Sequence, residues 1–516
     1  MFGVRRAFAA TFIATLGVTV STFGSLTPSA EADPEPCFDG GTLDFNGDGY
    51  TDAAVGDPYA TVGGKAGAGR VVVLYGDADG RVGQGARAVL TVADLGATPH
   101  SGDHFGAAIG TGQIDADYCA DLVIGAPGEN LPAAPDAGGI HLVLGSKDGL
   151  NAGYPSQHIT QADAEGSAEA GDHFGRTIVV GENLGQDTSV VVAGAPGEDV
   201  GAVADAGAVH VLNFSDSILV QPRQVTQNTA GIPGAAEAGD QFGASLALGV
   251  DMLRDFHSWE LLVGAPGESV GSLGAAGSVT LITDIQGYPP TGTWKAVGYS
   301  QNSPGVGGVA EPGDRFGASL AVGSRNIYNP ASVRRVAVGV PGEDVGSDNS
   351  AGAVNLFTAA SSGLEGLTYL TQDSPGVSGA AESGDHFGAS VAVMAGTTWR
   401  LAVGSPNEDV GSAIDAGLVQ VFDFDHVATD SALTQNSTGA AGVVHSGSRY
   451  GLRVVALEGK PERVWLIGNP YHATGAVHVV SVGGVFTSRA WLPGSGGVPG
   501  GATRFGWSAG GHDNLG

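Results

Sequence analysis

Four oxygen-bearing side chains alternate along a short stretch near the start of the sequence. Asp44, Asn46, Asp48 and Asp52 form the pattern D-x-N-x-D-G-x-x-D. Hard cations such as calcium take several oxygen ligands, and alternate residues of a tight loop can converge on one point. Gly49 permits the turn that this convergence needs. The pattern therefore predicts a calcium site, and the alternative is a hairpin turn rich in Asp and Asn that holds no metal.

A second stretch repeats the pattern less completely. Gln113, Asp115, Asp117 and Asp121 occupy the corresponding positions, with glutamine in place of the first aspartate and no glycine after Asp117. We expect calcium to bind there as well. Later stretches lack the spacing, as residues 182–190 show, so we expect the other hairpins to form without metal.

Both stretches belong to a repeat with a period of about 70 residues, which indicates a repeat architecture. Its first half is an aromatic residue followed by glycine, at Phe105, Phe174, Phe242, Phe316, Phe387, Tyr450 and Phe505. Its second half is a strand that ends in G-x-P, at 56–58, 125–127, 194–196, 264–266, 339–341, 404–406 and 468–470. A β-branched run and a weaker fourth strand follow, and then a connector that often contains glutamine. Short β-branched runs bounded by glycine are typical of strands.

These two halves resemble the FG-GAP repeats of the propeller at the head of integrin alpha chains and of related secreted bacterial proteins. The resemblance covers nearly the whole chain after residue 32. It implies an all-β fold, a seven-bladed β-propeller of four-stranded antiparallel blades. It also implies the full calcium ligand sets, which are Asp44, Asn46, Asp48, the carbonyl of Tyr50 and Asp52 in the first loop, and Gln113, Asp115, Asp117, the carbonyl of Cys119 and Asp121 in the second.

The two ends of the chain hold complementary half-repeats. The first G-x-P strand has no aromatic-Gly strand before it, and Arg504-Phe505-Gly506 has no G-x-P strand after it. We expect these halves to meet in one blade and close the ring, because closure removes exposed sheet edges. Residues 33–516 are then predicted to form a single propeller domain.

The N-terminus is typical of a secretory signal peptide, predicted to span residues 1–32. Arg5 and Arg6 precede an apolar stretch from Ala7 to Leu26, and Ala30-Glu31-Ala32 offers small residues for cleavage. A membrane anchor is the alternative. The net charge of −31 argues against nucleic acid and anionic membranes as partners. No later segment is long and apolar enough to suggest a membrane span.

Cys37 and Cys119 are the two cysteines of the chain. In an exported protein such a pair is predicted to form a disulfide, which would tie the N-terminal segment to the second repeat. The alternative is a pair of buried thiols.

Acidic residues also recur outside the two loops. A glutamate follows the G-x-P strand at Glu129, Glu198, Glu268, Glu343 and Glu408, and an aspartate precedes the aromatic-Gly strand at Asp103, Asp172, Asp240, Asp314 and Asp385. Strand direction places both sets on the face opposite the calcium loops. They could form an acidic binding ring, but their fixed repeat positions favour the alternative that each acid caps its own turn.

Two features that could suggest catalysis are better explained as structural positions of the repeat. Gly506–Gly510 matches the G-x-S-x-G motif of hydrolases, yet Ser508 has the repeat position of Ser245, Ser319 and Ser390 inside a strand. His104, His173 and His386 share a position that holds glutamine or arginine in other repeats, which predicts exposed side chains. No residues outside the pattern form a convincing cluster, so we predict no catalytic residues and no organic cofactor.

The sequence therefore predicts an exported, calcium-stabilised binding module rather than an enzyme, with a role in adhesion or macromolecular recognition. We expect a monomer whose partner is an unidentified macromolecule or glycan on a cell or extracellular surface. A secreted lectin is the second hypothesis. A hydrolase or lyase with its site in the central funnel is the third.

Overall fold

The computed structural model describes residue 37 and residues 43–115, 117–152, 155–182, 188–250, 252, 258–287, 293–323, 334–396, 398–437, 442–458, 462–473, 475–481, 488–501 and 504–510. The predicted signal peptide, residues 1–32, lies outside these ranges. So do residues 183–187 of the third hairpin, for which no metal was expected. Within the described ranges no helix is long and apolar enough to cross a membrane.

Short strands make up nearly all of the regular structure. The first two blades use β1 (Ala53–Asp57), β2 (Arg70–Leu74), β3 (Arg87–Leu90), β4 (Ala108–Gly112), β5 (Asp121–Ala126), β6 (Gly139–Val143) and β7 (Gln157–Ile159), with a 3-10 helix at Val92–Leu95 between them. Blades 3 and 4 use β8 (Thr177–Gly181), β9 (Ser189–Ala195), β10 (Ala208–Ser215), β11 (Ile218–Val225), β12 (Ser245–Val250), β13 (Trp259–Ala265), β14 (Ser278–Ile282) and β15 (Ala296–Tyr299). Blades 5 and 6 use β16 (Ser319–Gly323), β17 (Arg334–Val340), β18 (Ala353–Ala360), β19 (Gly363–Leu370), β20 (Ser390–Met394), β21 (Arg400–Ser405), β22 (Leu418–Asp423) and β23 (His426–Leu433). Blade 7 uses β24 (Arg453–Glu458), β25 (Arg463–Gly468), β26 (Val477–Ser481) and β27 (Ser488–Trp491), and β28 (Ser508–Gly510) returns to blade 1.

These strands form seven antiparallel sheets of four strands each, which confirms the predicted seven-bladed propeller. Six blades follow the chain order from the innermost strand outwards, as in β4-β5-β6-β7. The innermost strands contact one another in the ring order β28, β4, β8, β12, β16, β20, β24 and again β28. Blade 1 has the order β28-β1-β2-β3, so its innermost strand comes from the C-terminal end. In that pair Ala54 lies opposite Gly510 and Gly56 lies opposite Ser508, which confirms the predicted closure.

The two halves of the repeat interlock between neighbouring blades. The aromatic residue of each aromatic-Gly pair is buried, and Phe174 of blade 3 packs among Ile140 and Leu142 of blade 2. A Cβ atom at Gly125 would lie 2.0 Å from the carbonyl oxygen of Gly175 in the next blade, so a side chain does not fit there. The G-x-P glycine is thus required by the close approach of the adjoining aromatic-Gly turn.

Ser508 is structural, as predicted. It begins β28, it is buried, and its Oγ donates a hydrogen bond of 2.6 Å to the carbonyl oxygen of Gly106 in blade 2. Ser245, Ser319 and Ser390 make the same bond to the glycine carbonyl of their neighbouring blades. This serine therefore holds adjacent blades together.

The exposure expected for three histidines is wrong for two of them. His173 is exposed, whereas His104 and His386 are half-buried. His386 donates through Nδ1 to the carbonyl oxygen of Pro341 at 2.9 Å, and His173 donates in the same way to the carbonyl oxygen of Pro127 at 3.0 Å. Because all three adopt a positive φ of 55–56°, their rings turn back onto the neighbouring G-x-P loop.

Candidate metal centre and binding face

The first predicted calcium loop leads into β1 and is held by its own carboxylates. Asp44 is buried and accepts hydrogen bonds from the backbone amides of Gly49 at 2.7 Å and Asp48 at 3.2 Å. Asp52, also buried, accepts from the amides of Phe45 and Gly76, both at 2.8 Å. The last aspartate therefore fastens the loop to the end of β2. Asn46 and Asp48 contact each other at 3.0 Å on the exposed side of the turn.

The second loop, 113–121, repeats this arrangement ahead of β5. Asp121 is buried and accepts from the amides of Ile114 at 2.6 Å and Gly145 at 2.9 Å. Tyr118 occupies the position that Gly49 has in the first loop, and both have a positive φ, 66° and 86° respectively. The glycine missing from the sequence is thus replaced by a tyrosine in the left-handed conformation, at a cost of roughly 1–2 kcal/mol. Gln113 donates through Nε2 to the Tyr118 carbonyl at 3.5 Å.

The acids of both loops repel one another. Burial first, and then the charges of Asp44 and Asp48, raise the pKa of Asp52 to about 8. In the second loop burial and the charge of Asp117 raise the pKa of Asp115 to about 7. Asp117 also has a buried Oδ2 without a hydrogen-bond partner. An all-oxygen donor set with crowded carboxylates and an unsatisfied oxygen fits a hard divalent cation.

The disulfide joins the two loops. Cys37 and Cys119 are bonded with a Cα–Cα distance of 5.2 Å, which confirms the predicted pairing. The amide of Cys37 donates to the Asp117 carbonyl at 2.7 Å, and the amide of Ala120 donates to the Asp44 carbonyl at 2.8 Å. A Cβ atom on Gly47, whose φ is 63°, would lie 2.2 Å from Cys37 Sγ. The disulfide and both loops are therefore one packed unit.

The repeated acids outside the loops accept hydrogen bonds from other groups of the protein. The five aspartates each accept a hydrogen bond from the backbone amide three residues earlier, as Asp103 does from His100 at 2.7 Å. This supports turn capping over an acidic binding ring. Four of the glutamates instead accept from a connector glutamine, in the pairs Gln161–Glu198, Gln227–Glu268, Gln301–Glu343 and Gln372–Glu408. Sequence reasoning found both the glutamates and the glutamine-containing connectors but did not link them.

A group of aromatic and basic side chains lies on the same face, beside the junction of the chain ends. We call it the closure patch, and its members are Tyr59, His104, Arg449, Tyr471, Arg504 and Trp507, all half-buried. The Tyr59 ring centroid lies 4.8 Å from that of His104 and 5.3 Å from that of Trp507. Arg504 and Arg449 lie over the Tyr471 ring at 4.0 Å and 4.9 Å from its centroid.

The closure patch departs from the repeat. Tyr59 and Tyr471 follow G-x-P, where blades 2 to 5 have Gly128, Gly197, Gly267 and Gly342. Trp507 follows the aromatic-Gly pair, where four other blades have Ala107, Ala244, Ala318 and Ala389. Sequence reasoning found no convincing cluster of this kind. A column-by-column comparison of the repeats would have marked these three aromatics, although only closure of the ring brings them together.

The comparison with known proteins agrees with this architecture. The family model of the FG-GAP repeat matches residues 39–74, within a ring of seven four-stranded blades. The matched repeat and the seven-bladed ring together fit an integrin-like FG-GAP propeller. None of the curated proteins matches it. A solved structure similar to the FG-GAP propeller is a fucose-specific lectin from Aleuria aurantia in its mercury-derivative form, with 9% identity and a TM-score of 0.36 over 75% of this chain and 96% of the lectin. So distant a likeness says nothing about the ligand.

The central channel of the FG-GAP propeller contains a cavity of about 240 Å³. Two arginines break the repeat pattern along its wall: Arg176 precedes β8 and Arg453 begins β24, on opposite sides of the ring. Desolvation by the surrounding channel wall and the positive charge of Arg176 lower the pKa of Arg453, although the residue is solvent-exposed. In the described part of the chain neither guanidinium makes an ion pair. Despite the net charge of −31 of the whole protein, the channel thus carries two uncompensated positive charges.

Proposed function

We propose that this FG-GAP propeller is an exported, calcium-stabilised binding module, without catalytic activity, that recognises a macromolecular partner at a cell or extracellular surface through the closure patch. The observation that carries the proposal is the replacement of repeat glycines and alanines by tyrosine and tryptophan at adjoining points of one face. Interlocking of the blades explains the repeat residues, but it does not require these aromatics.

The chemistry of the closure patch supports a binding role. Tyrosine, tryptophan and arginine are the residue types that most often dominate binding energy in protein interfaces. Here Arg449 and Arg504 both lie over the Tyr471 ring, and the Arg504 amide donates to Asp57 Oδ1 at 3.0 Å. Side chains held in place before binding lose little conformational freedom when a partner docks.

The charges beside the patch favour an anionic group in the partner. Arg176 lines the channel, and its charge also contributes to lowering the pKa of His104, a member of the closure patch, after the larger effect of burial. A carboxylate or a phosphate would be attracted to the guanidinium groups of Arg176 and Arg453, and guanidinium matches both geometrically. A positively charged group of the partner, which an acidic ring would have suited, is disfavoured at the closure patch.

Export and calcium complete the proposal. A disulfide is typical of proteins that mature in an oxidising compartment, and Cys37–Cys119 spans both candidate metal loops. The loops lie at the opposite ends of the strands from the closure patch, because they enter β1 and β5 whereas Tyr59 and Tyr471 of the patch follow β1 and β25. Calcium would therefore stabilise the scaffold without contacting the partner.

The test uses variants that restore the repeat. Tyr471→Gly with Trp507→Ala gives the patch the residues of blades 2 and 4, so the fold should be retained. Tyr118→Ala removes an exposed aromatic on the other face and is the control. Immobilised protein is exposed to culture supernatant and surface extract of the producing cells, and retained molecules are identified by mass spectrometry.

We expect one retained molecule to be lost with the double variant and kept by the Tyr118→Ala control, and its retention to weaken with added salt. Equal retention by all three proteins would contradict the proposal. A glycan array and a hydrolase substrate panel, run on the same samples, test the lectin and enzyme alternatives directly.

A further inference from the structure

Three ligand-bearing side chains converge in blade 2 on the face that carries the closure patch. Glu129 follows β5, and His141 of β6 lies directly opposite His158 of β7. The Nε2 atoms of His158 and His141 lie 3.0 Å and 3.6 Å from the same oxygen, Glu129 Oε2. All three ligand atoms lie within 4.8 Å of one another, a grouping that the described acids of the two calcium loops do not show.

This cluster replaces the glutamine–glutamate pair of blades 3 to 6. The connector that enters blade 2 has Val92 where later connectors have a glutamine such as Gln161, so Glu129 has no amide partner of that kind. The third-strand position of His141 is polar in several blades, as in Thr280 and Asn355. A second histidine on the fourth strand, His158, occurs in blade 2 among the described blades.

Space for the cluster is provided by Gly139. A Cβ atom there would lie 2.6 Å from Glu129 Oε2 and 2.7 Å from His158 Nε2. Gly139 does not have a positive φ, so the backbone does not demand glycine. Other blades have a side chain at this position, namely Ala208, Ser278, Ala353, Leu418 and Ala476. The missing methyl group therefore serves the three converging side chains.

The His141 imidazole is already held in place, and one of its nitrogens lacks a hydrogen-bond partner. The side chain of His141 is 3% exposed, and its Nε2 atom has no hydrogen-bond partner. Its ring packs edge-on against Phe105, with centroids 5.3 Å apart and an interplanar angle of 68°. Although burial opposes the change, the two histidines lower the pKa of Glu129 to about 2, so this carboxylate is ionised at neutral pH.

We propose that Glu129, His141 and His158 bind one zinc-class divalent metal ion through Oε2 and the two Nε2 atoms. Bonds of about 2.0–2.1 Å in tetrahedral geometry place neighbouring ligand atoms roughly 3.3 Å apart. The observed separations of 3.0 Å and 3.6 Å lie on either side of that value. A mixed nitrogen and oxygen donor set favours zinc over calcium, which prefers oxygen alone.

Binding requires one small movement. The rings of His141 and His158 are stacked, with centroids 4.7 Å apart and an interplanar angle of 22°, so His158 must tilt out of the stack for its Nε2 to point at the ion. The His158 side chain is 38% exposed, which permits the tilt and leaves the fourth coordination position open to water or to an atom of a ligand. The metal would thus cross-link β6, β7 and the loop after β5.

The experiment titrates calcium-saturated protein, residues 33–516, with zinc ions alone in a calorimeter, and with cobalt ions monitored by visible absorption. Glu129→Gln and His158→Gln remove single ligands, and Gly139→Ala fills the space. Glu198→Gln is the matched control, because it changes the glutamate at the same repeat position of blade 3. Melting curves without zinc verify that each variant is folded.

We expect one zinc ion per wild-type chain, at least tenfold weaker binding in the three blade 2 variants, and unchanged binding in the control. Cobalt should give the absorption of a tetrahedral site in the wild type. Affinity should rise with pH, because the imidazoles must be neutral to coordinate. No zinc binding by the wild type, or equal affinity in all variants, would overturn the proposal.

Discussion

Removal of the disulfide is expected to destabilise the propeller and both candidate metal loops together. Cys37 and Cys119 are 82 residues apart in the sequence. A loop of that length corresponds to about 4.5 kcal/mol in the chain-entropy account of disulfide stabilisation. Alanine is the suitable replacement at both positions, since both cysteines are buried and a serine hydroxyl would need a new partner.

The magnitude can be measured by urea denaturation of wild type and the double alanine variant, each in calcium and in chelator. We expect the free energy of the first unfolding transition to fall by about 4.5 kcal/mol, with strain or residual structure in the unfolded chain reducing this value. Calcium should also bind the variant more weakly at both loops, because the Cys37 amide contacts Asp117 and the disulfide packs on Gly47.

Reduced wild-type protein is the control, and it should behave as the double variant does. A loss below about 1 kcal/mol, a value within the range of an ordinary single substitution, would refute the reasoning. So would a calcium affinity that is unchanged at both loops, since the loops would then be organised independently of the covalent link.

Three further outcomes are expected. Asp48→Ala should abolish most of the first loop's response to calcium, which at ten times the dissociation constant is about 1.4 kcal/mol per site; calorimetry that shows two unchanged binding events would contradict this. Deletion of residues 501–516 removes β28 and exposes the edge of β1, so we expect aggregation; a monomer with wild-type melting would exclude it. Burial raises the pKa of Glu198 to about 7 and of Asp240 to about 6, above their unfolded values, so in chelator the folded state binds more protons between pH 4.5 and 7. Unfolding free energy should therefore increase as the pH falls from 8 to 5, and a melting temperature that rises with pH over this range would show that these acids do not control stability.

The fold could be predicted from the sequence because the residues that recur in each repeat are the ones that pack between neighbouring blades. The glycine of each G-x-P and the aromatic-Gly pair meet between neighbouring blades, as Gly125 and Gly175 do, so their recurrence fixes both the number of blades and the contacts between them. A chain with two cysteines likewise left one intramolecular pairing to expect. The half-repeats at the two ends predicted the pairing of β1 with β28.

Partners across blades were harder to predict. Gln161 and Glu198 meet because the connector of one blade passes over the loop of the next. A local sequence pattern does not reveal such a contact. Tyr59 and Tyr471 are far apart in the chain, and ring closure brings them to one face. Tyr118 is a different case, because it adopts a backbone conformation that its residue type disfavours and that only the surrounding loop imposes.

The closing strand also constrains the order in which the chain can fold as it is synthesised. β1 is made long before its inner partner Ser508–Gly510, because the strands of the six other blades lie between them in the sequence. Blade 1 therefore remains incomplete, with the inner edge of β1 unpaired, while the six other blades can form in sequence. Contacts between residues so distant in the chain form slowly, and the final step is the entry of three residues between blades 7 and 2. A chaperone that binds unpaired strand edges would find a binding site at the open edge of β1.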